Sequence, residues 1–168
     1  NNGIIKGVVK MKIRLILLCI VCFLFGCQNQ KTQLKDYDEF IQKIDQQVDY
    51  QTTSSYYHTD LILTKQDQGY RYDFIVKDVS QPLKHVRIVC KDNSSLTLYY
   101  PSLGVYDQED VTLDNQSDKG NSIYKGVNLS GLVDKLPCQI KALIEFEDQN
   151  GKLHQEYIQL EKDSETCD

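Results

Sequence analysis

The chain has 168 residues, 40% of them hydrophobic and 26% charged, with a net charge of −5 and no tryptophan. That length supports one domain with a real core, and the acidic balance repels phosphate backbones, so nucleic acid is not an expected partner. The three histidines (His58, His85, His154) are scattered and the one Cys-x-x-Cys pair, Cys19 and Cys22, falls inside an apolar run, so neither a metal site nor another cofactor is expected.

In chain order the first element is residues 11–27, MKIRLILLCIVCFLFGC. Lys12 and Arg14 precede an apolar run that closes on Leu24-Phe25-Gly26-Cys27. The run is too short for the roughly 20 apolar residues of a spanning helix, and polar Gln28-Asn29-Gln30 follow at once. An ordinary secretory peptide would carry small residues where Leu24 and Phe25 stand. The segment resembles the signal peptide of bacterial lipoproteins, with a lipobox-type ending at Cys27. The resemblance implies removal of residues 11–26, acylation of Cys27, and an extracytoplasmic protein anchored to the bacterial membrane by its N-terminal lipid. Residues 1–10 read as a leader upstream of a true start at Met11, because Lys6-Gly7-Val8 can be encoded by a purine-rich ribosome-binding sequence. Residues 1–26 hold four basic and no acidic residues, so the remainder carries 15 basic against 24 acidic residues. Membrane attachment would then rest on the acyl chains, each buried methylene contributing about 0.8 kcal/mol.

Residues 27–50 read as a lipidated tether and a short amphipathic helix. Leu34, Tyr37, Ile41, Ile44 and Val48 recur at steps of three and four, with Phe40 beside the stripe. The spacing predicts a helix over 34–49 that packs on the domain or serves as a membrane-side spacer. It has too few heptads for a coiled coil.

From residue 51 the period changes to two, which predicts a β domain over 51–162 and a tail over 163–168. Strands are expected at 56–64, 70–77, 86–90, 96–100, 105–113, 122–129, 138–147 and 152–160. In the clearest of them Cys138, Ile140, Ala142, Ile144 and Phe146 face inward, while Gln139, Lys141, Leu143, Glu145 and Glu147 face solvent. The turn at 148–151 ends in Asn150-Gly151, which supplies the positive φ of a tight hairpin.

Seven or eight short strands with turns at this spacing predict a mainly β fold, a single antiparallel sandwich. Leu136-Pro137-Cys138, leading into a long alternating strand and an Asn-Gly hairpin, resembles the final corner and last two strands of immunoglobulin-like and fibronectin type III domains. A lipocalin-like barrel or another small sandwich is the alternative architecture. The chain departs from the family in lacking tryptophan and in carrying Ile140 near the place of a corner tyrosine. The resemblance makes residues 84–90 and 138–147 antiparallel neighbours, and implies that Cys90 and Cys138 face each other. A disulfide there would add about 2–4 kcal/mol in an oxidising compartment. Buried free thiols are the other reading.

No serine stands in a G-x-S-x-G or S-x-x-K context, and no phosphate-binding loop occurs. The expectation is therefore a non-catalytic protein. Glu109-Asp110 read as a polar loop, and Glu145 and Glu147 as a strand's wet face. Tyrosine is the unusual component, with 11 residues. Tyr56, Tyr57, Tyr99, Tyr100, Tyr106 and Tyr124 fall in weak strands or near turns, where an apolar ring with a polar tip suits contact with protein or glycan. The sequence thus predicts a cell-surface lipoprotein of binding, adhesion or envelope-organising type, using loops or a strand edge on an envelope protein or glycan. Carriage of a small or apolar ligand is the alternative, with an envelope hydrolase behind it.

Overall fold

The computed structural model describes residues 33–94, 97–107, 109–116 and 121–164. The leader, the signal-like run, Cys27 and the tail from residue 165, Cys167 included, lie outside the described residues. The chain divides into two units. Of the first, residues 1–35, only 33–35 are described, and they open helix α1 (33–46). The second, residues 36–168, contains the rest of α1 and all the strands.

The period-two segments fold as β1 (His58–Lys65), β2 (Tyr70–Lys77), β3 (Lys84–Asp92), β7 (Gly126–Val133), β8 (Cys138–Glu147) and β9 (Leu153–Lys162). Three two-residue strands, β4 (Ser102–Leu103), β5 (Thr112–Leu113) and β6 (Ile123–Tyr124), interrupt them. One sheet has the order β1-β2-β7 and another the order β4-β3-β8-β9, both antiparallel; β5 and β6 form a small parallel pair. Tyr72, Phe74 and Val76 of β2 meet Ile88 of β3 and Ile140, Ala142, Ile144 and Phe146 of β8 in one buried apolar cluster. The protein is therefore mainly β, with the two larger sheets sharing a core rather than closing into one barrel. At roughly 25 cal/mol per Å² of apolar area, such side chains supply most of the force that holds these sheets together.

A second cluster lies on the other side of the four-stranded sheet. Tyr37, Phe40 and Ile44 of α1 pack against Val89 of β3, Val105 and Leu143 of β8. Val89 and Leu143 are direct cross-strand partners, so together they form an apolar spot on the sheet's outer face that α1 covers. β3 and β8 are consequently buried on both faces. The helix stops at residue 46, short of the predicted 49, where Tyr50 Oη donates to Ile44 O at 2.5 Å and occupies one of the terminal carbonyls. Val48 lies past that end and is 87% exposed.

Several expectations need correction. The Cys90–Cys138 disulfide is not formed: both cysteines are free and buried. The strands are indeed neighbours, but the register sets Cys90 opposite Ala142, four positions from Cys138 and so ~13 Å along the strand, beyond the reach of a bridge. Glu145 is not on a wet face: it is buried, with Arg87 Nη1 on one oxygen at 3.0 Å and Gln155 Nε2 on the other at 2.6 Å. Of the strand expected at 96–100, the described residues 97–100 are not in a strand, because the backbone of Tyr100 is bonded to α1 instead, and the strand expected at 105–113 is reduced to Thr112–Leu113.

The predicted hairpin joins β8 to β9, with Gly151 at φ +74°. Asp148 organises it. Its Oδ1 accepts from the backbone N–H of Asn150 at 2.8 Å and Lys152 at 3.0 Å, and its Oδ2 lies 3.0 Å from His154 Nε2. The His154 contact first, then these backbone donors, hold the carboxyl below its usual range. A lowered folded pKa makes this stability present above the ordinary carboxylate range and lost as pH falls through the folded value. Asp148→Asn should lower the melting temperature at neutral pH and flatten its decline below about pH 4, as read by thermal unfolding across that range.

Candidate functional site

The outer side of the four-stranded sheet, around the first turns of α1, carries the most distinctive surface. After β3 the chain turns on Asp92, whose Oδ1 accepts from Ser94 N at 2.9 Å and whose two oxygens both lie within 3.0 Å of Thr97 Oγ1. The following segment is then fastened to α1 by a single phenol. Tyr37 Oη accepts from Tyr100 N at 2.6 Å and donates to Tyr100 O at 3.1 Å. The Tyr37 ring also meets Tyr106 edge-on, with centroids 6.4 Å apart. From this fixed backbone Leu98 (89% exposed), Tyr99 (76%) and Tyr106 (51%) project into solvent. Tyr37→Phe removes both bonds to Tyr100 and should cost about 1–2 kcal/mol, with faster exchange of the Tyr100 amide by hydrogen–deuterium mass spectrometry.

Next to this segment lies a cleft of about 290 Å³ lined by Asp36, His85, Arg87, Gly104, Val105, Glu109 and Asp110. A bulge between Lys84 and Arg87 turns His85 outward at φ +52°. Histidine visits this left-handed region more readily than most residues. His85 Nδ1 sits 2.8 Å from Asp110 Oδ1, and its Nε2 is 4.0 Å from Glu147. Arg87 lies over the Phe40 ring at 4.7 Å, bonded to Glu145 and 3.8 Å from Asp36. Gly104, at φ +66°, is required here, since a Cβ would fall 2.6 Å from Val86 O and 3.1 Å from Glu109 O. Glu109 itself accepts from Tyr124 Oη at 3.3 Å. Among the described residues the lining carries no Ser, Thr, Cys or Lys. What the arrangement can do is hold polar or charged groups of a ligand between carboxylates, an imidazole and a guanidinium.

Of the six tyrosines singled out in the sequence, the structure gathers only some. Tyr99, Tyr100 and Tyr106 belong to the segment held by Tyr37, with Tyr100 half-buried beneath Lys91. Tyr124 joins the edge of the cleft through Glu109. Tyr56 is half-buried against Phe146 and His154, at ring distances of 5.1 and 4.8 Å. Tyr57 is part of the core. Burial, and then Asp92, push the Cys90 thiol well up and that of Cys138 to about 11, so both stay protonated and unreactive. Sequence reasoning missed Tyr37 as the organiser of the segment, and missed the His85–Asp110 pair. The first was visible only as a stripe residue, and the second joins residues 25 positions apart.

Among the described residues no group of three or more His, Cys, Asp or Glu side chains is placed to hold a metal ion, and no helix is long and apolar enough to cross a membrane. No protein-family model matches the chain, and comparisons with curated proteins and with solved structures give no match.

Proposed function

We propose that this chain is a bacterial cell-surface lipoprotein, acylated at Cys27, that displays an immunoglobulin-like sandwich and binds an envelope protein or glycan. The charged start, short apolar run and Gly26-Cys27 ending support the lipid anchor. The strand order supports the immunoglobulin-like reading: β1-β2-β7 corresponds to A-B-E, and β3-β8-β9 to C-F-G, with β4 added beside C. The observation that carries the binding reading is the segment holding Leu98, Tyr99 and Tyr106. Large apolar and amphipathic side chains stand in solvent on a backbone already fixed by Tyr37, so ordering it costs little on contact with a partner. The short polar stretch from Gln28 to α1 would keep the domain near the membrane, where an envelope partner lies.

The test has two parts. Expressed in bacteria fed a clickable fatty acid, the chain should be labelled and sediment with membranes, and Cys27→Ala should lose both properties. An unlabelled, soluble wild-type chain overturns the lipoprotein reading. For binding, Leu98, Tyr99 and Tyr106 are replaced together by serine. The triple variant should keep its melting temperature and lose both co-sedimentation with isolated envelope glycan and photo-cross-linking to envelope protein from position 97. Equal behaviour of the triple variant and the wild type in both assays overturns this assignment of the surface.

A further inference from the structure

The margins of the two larger sheets are not treated alike. Along β1, His58, Asp60 and Lys65 bring charge, and Leu61 O accepts from Lys162 Nζ at 3.0 Å. The outer margin of β9 is occupied by Gln51, whose N–H donates to Tyr157 O and whose carbonyl accepts from Gln159 N, both at 2.9 Å. β4 is only two residues long. β7 is different. Its eight residues, GVNLSGLV, include no charge and no proline. They stay in unbroken register with β2 from Gly126↔Lys77 to Val133↔Tyr70, and among the described residues no strand pairs with the other side. A long, regular, uncharged edge is a template for another strand, and folded proteins ordinarily guard against it in the ways the other three margins do.

We propose that β7 pairs with β7 of a second copy of this chain, antiparallel, about a two-fold axis at Leu129. A two-fold perpendicular to the sheet keeps inner face beside inner face, so only positions of equal parity oppose one another. Centring on Leu129 then sets Val127 against Gly131, Gly126 against Leu132, and Asn128 against Ser130. In the first two pairs a large side chain stands opposite a glycine; the space over Gly131 is filled by Tyr72 of its own sheet, so Val127 of the second copy meets that ring. Leu132, which is 56% exposed in the single chain, gains cover from this pairing. The third places an amide beside a hydroxyl. β7 thus carries no charge to meet its own image. The pairing closes after two copies, joining two three-stranded sheets into a six-stranded one.

The experiment is sedimentation velocity on the full chain over a concentration series, with two double variants at the same positions. Wild type should show a reversible monomer–dimer equilibrium. N128E combined with S130K sets opposite charges across both Asn128–Ser130 pairs and should tighten the dimer about fivefold; N128K combined with S130K sets like charges there and should loosen it by a similar factor. Opposite shifts from substitutions at the same two sites separate pairing from any loss of folding. Amide exchange on the wild type gives an independent readout, in which protection within 126–133 rises with concentration. A wild-type chain that stays monomeric throughout overturns the proposal, even if another extended chain is found on this edge. So does a dimer whose affinity the two variants leave unchanged or shift alike, or β7 exchange that ignores concentration.

Discussion

Phe40→Ala is expected to lower the unfolding free energy by about 3–5 kcal/mol, the range for truncating a buried aromatic side chain. Phe40 is 2% exposed and packs in one cluster with Val89 and Leu143, and the Arg87 guanidinium lies over its ring. Its removal therefore opens a cavity and also loosens the cover over Arg87 and buried Glu145. That ion pair lasts only while its geometry holds, since an uncompensated buried carboxylate is costly. Val48→Ala, at an exposed site beyond the end of α1, should change stability by less than about 0.5 kcal/mol. Urea unfolding of both variants checks the contrast. A pure spacer helix would make the two substitutions equivalent, whereas a helix that covers the sheet makes them differ by several kcal/mol. The Tyr37 bonds to Tyr100 run through the same helix, so Phe40→Ala should also raise amide exchange across the Leu98–Tyr99 segment.

The long strands were legible because each has one face in a single core, which writes a period of two into the residues. The β8 inner face from Cys138 to Phe146 is buried as expected. The helix was legible as well, with Tyr37 and Ile44 on its packed side, though Phe40 rather than Ile41 is the side chain fully covered. What the pattern hid was the second layer. Val89 and Leu143 occupy positions that alternation assigns to solvent, and their being apolar is the sign that something covers them. Glu145 gave no such sign, because a buried carboxylate looks like an exposed one until Arg87 and Gln155 are placed beside it. The cysteine pairing failed on register, which alternation cannot supply: shifting a strand by four positions leaves every side chain on its proper face. Among the described residues between 97 and 125 the chain is mostly irregular. Its course there is set by particular side-chain contacts, such as Tyr37 with Tyr100 and His85 with Asp110, which join distant parts of the sequence.

Gly131→Val should destabilise the protein by about 3 kcal/mol, at the upper end of overpacking effects, and should disturb the candidate surface although it lies on a different sheet. Gly131 and Tyr72 are cross-strand partners on the inner face, and the ring occupies the space beside the glycine. A Cβ at 131 would fall 2.5 Å from Cε1, Cζ and Oη of Tyr72, so the ring must move. It has nowhere easy to go, being fully buried and bonded through Oη to Asp92 Oδ2 at 3.2 Å. Asp92 is the residue that also holds Ser94 and Thr97 at the start of the segment carrying Leu98 and Tyr99. Displacing the ring therefore reaches the loop through one carboxylate. Tyr72→Phe should cost less, about 1 kcal/mol, because Asp92 keeps its other donors. Gly131→Ala with Tyr72→Leu should be less harmful than the two single effects summed, since the smaller side chain vacates the space that the new methyl needs. A coupling of about 1 kcal/mol or more in that double-mutant cycle locates the strain in this pair. If the two effects simply add, Gly131 matters for its backbone freedom alone, and the sheet and the loop are independent.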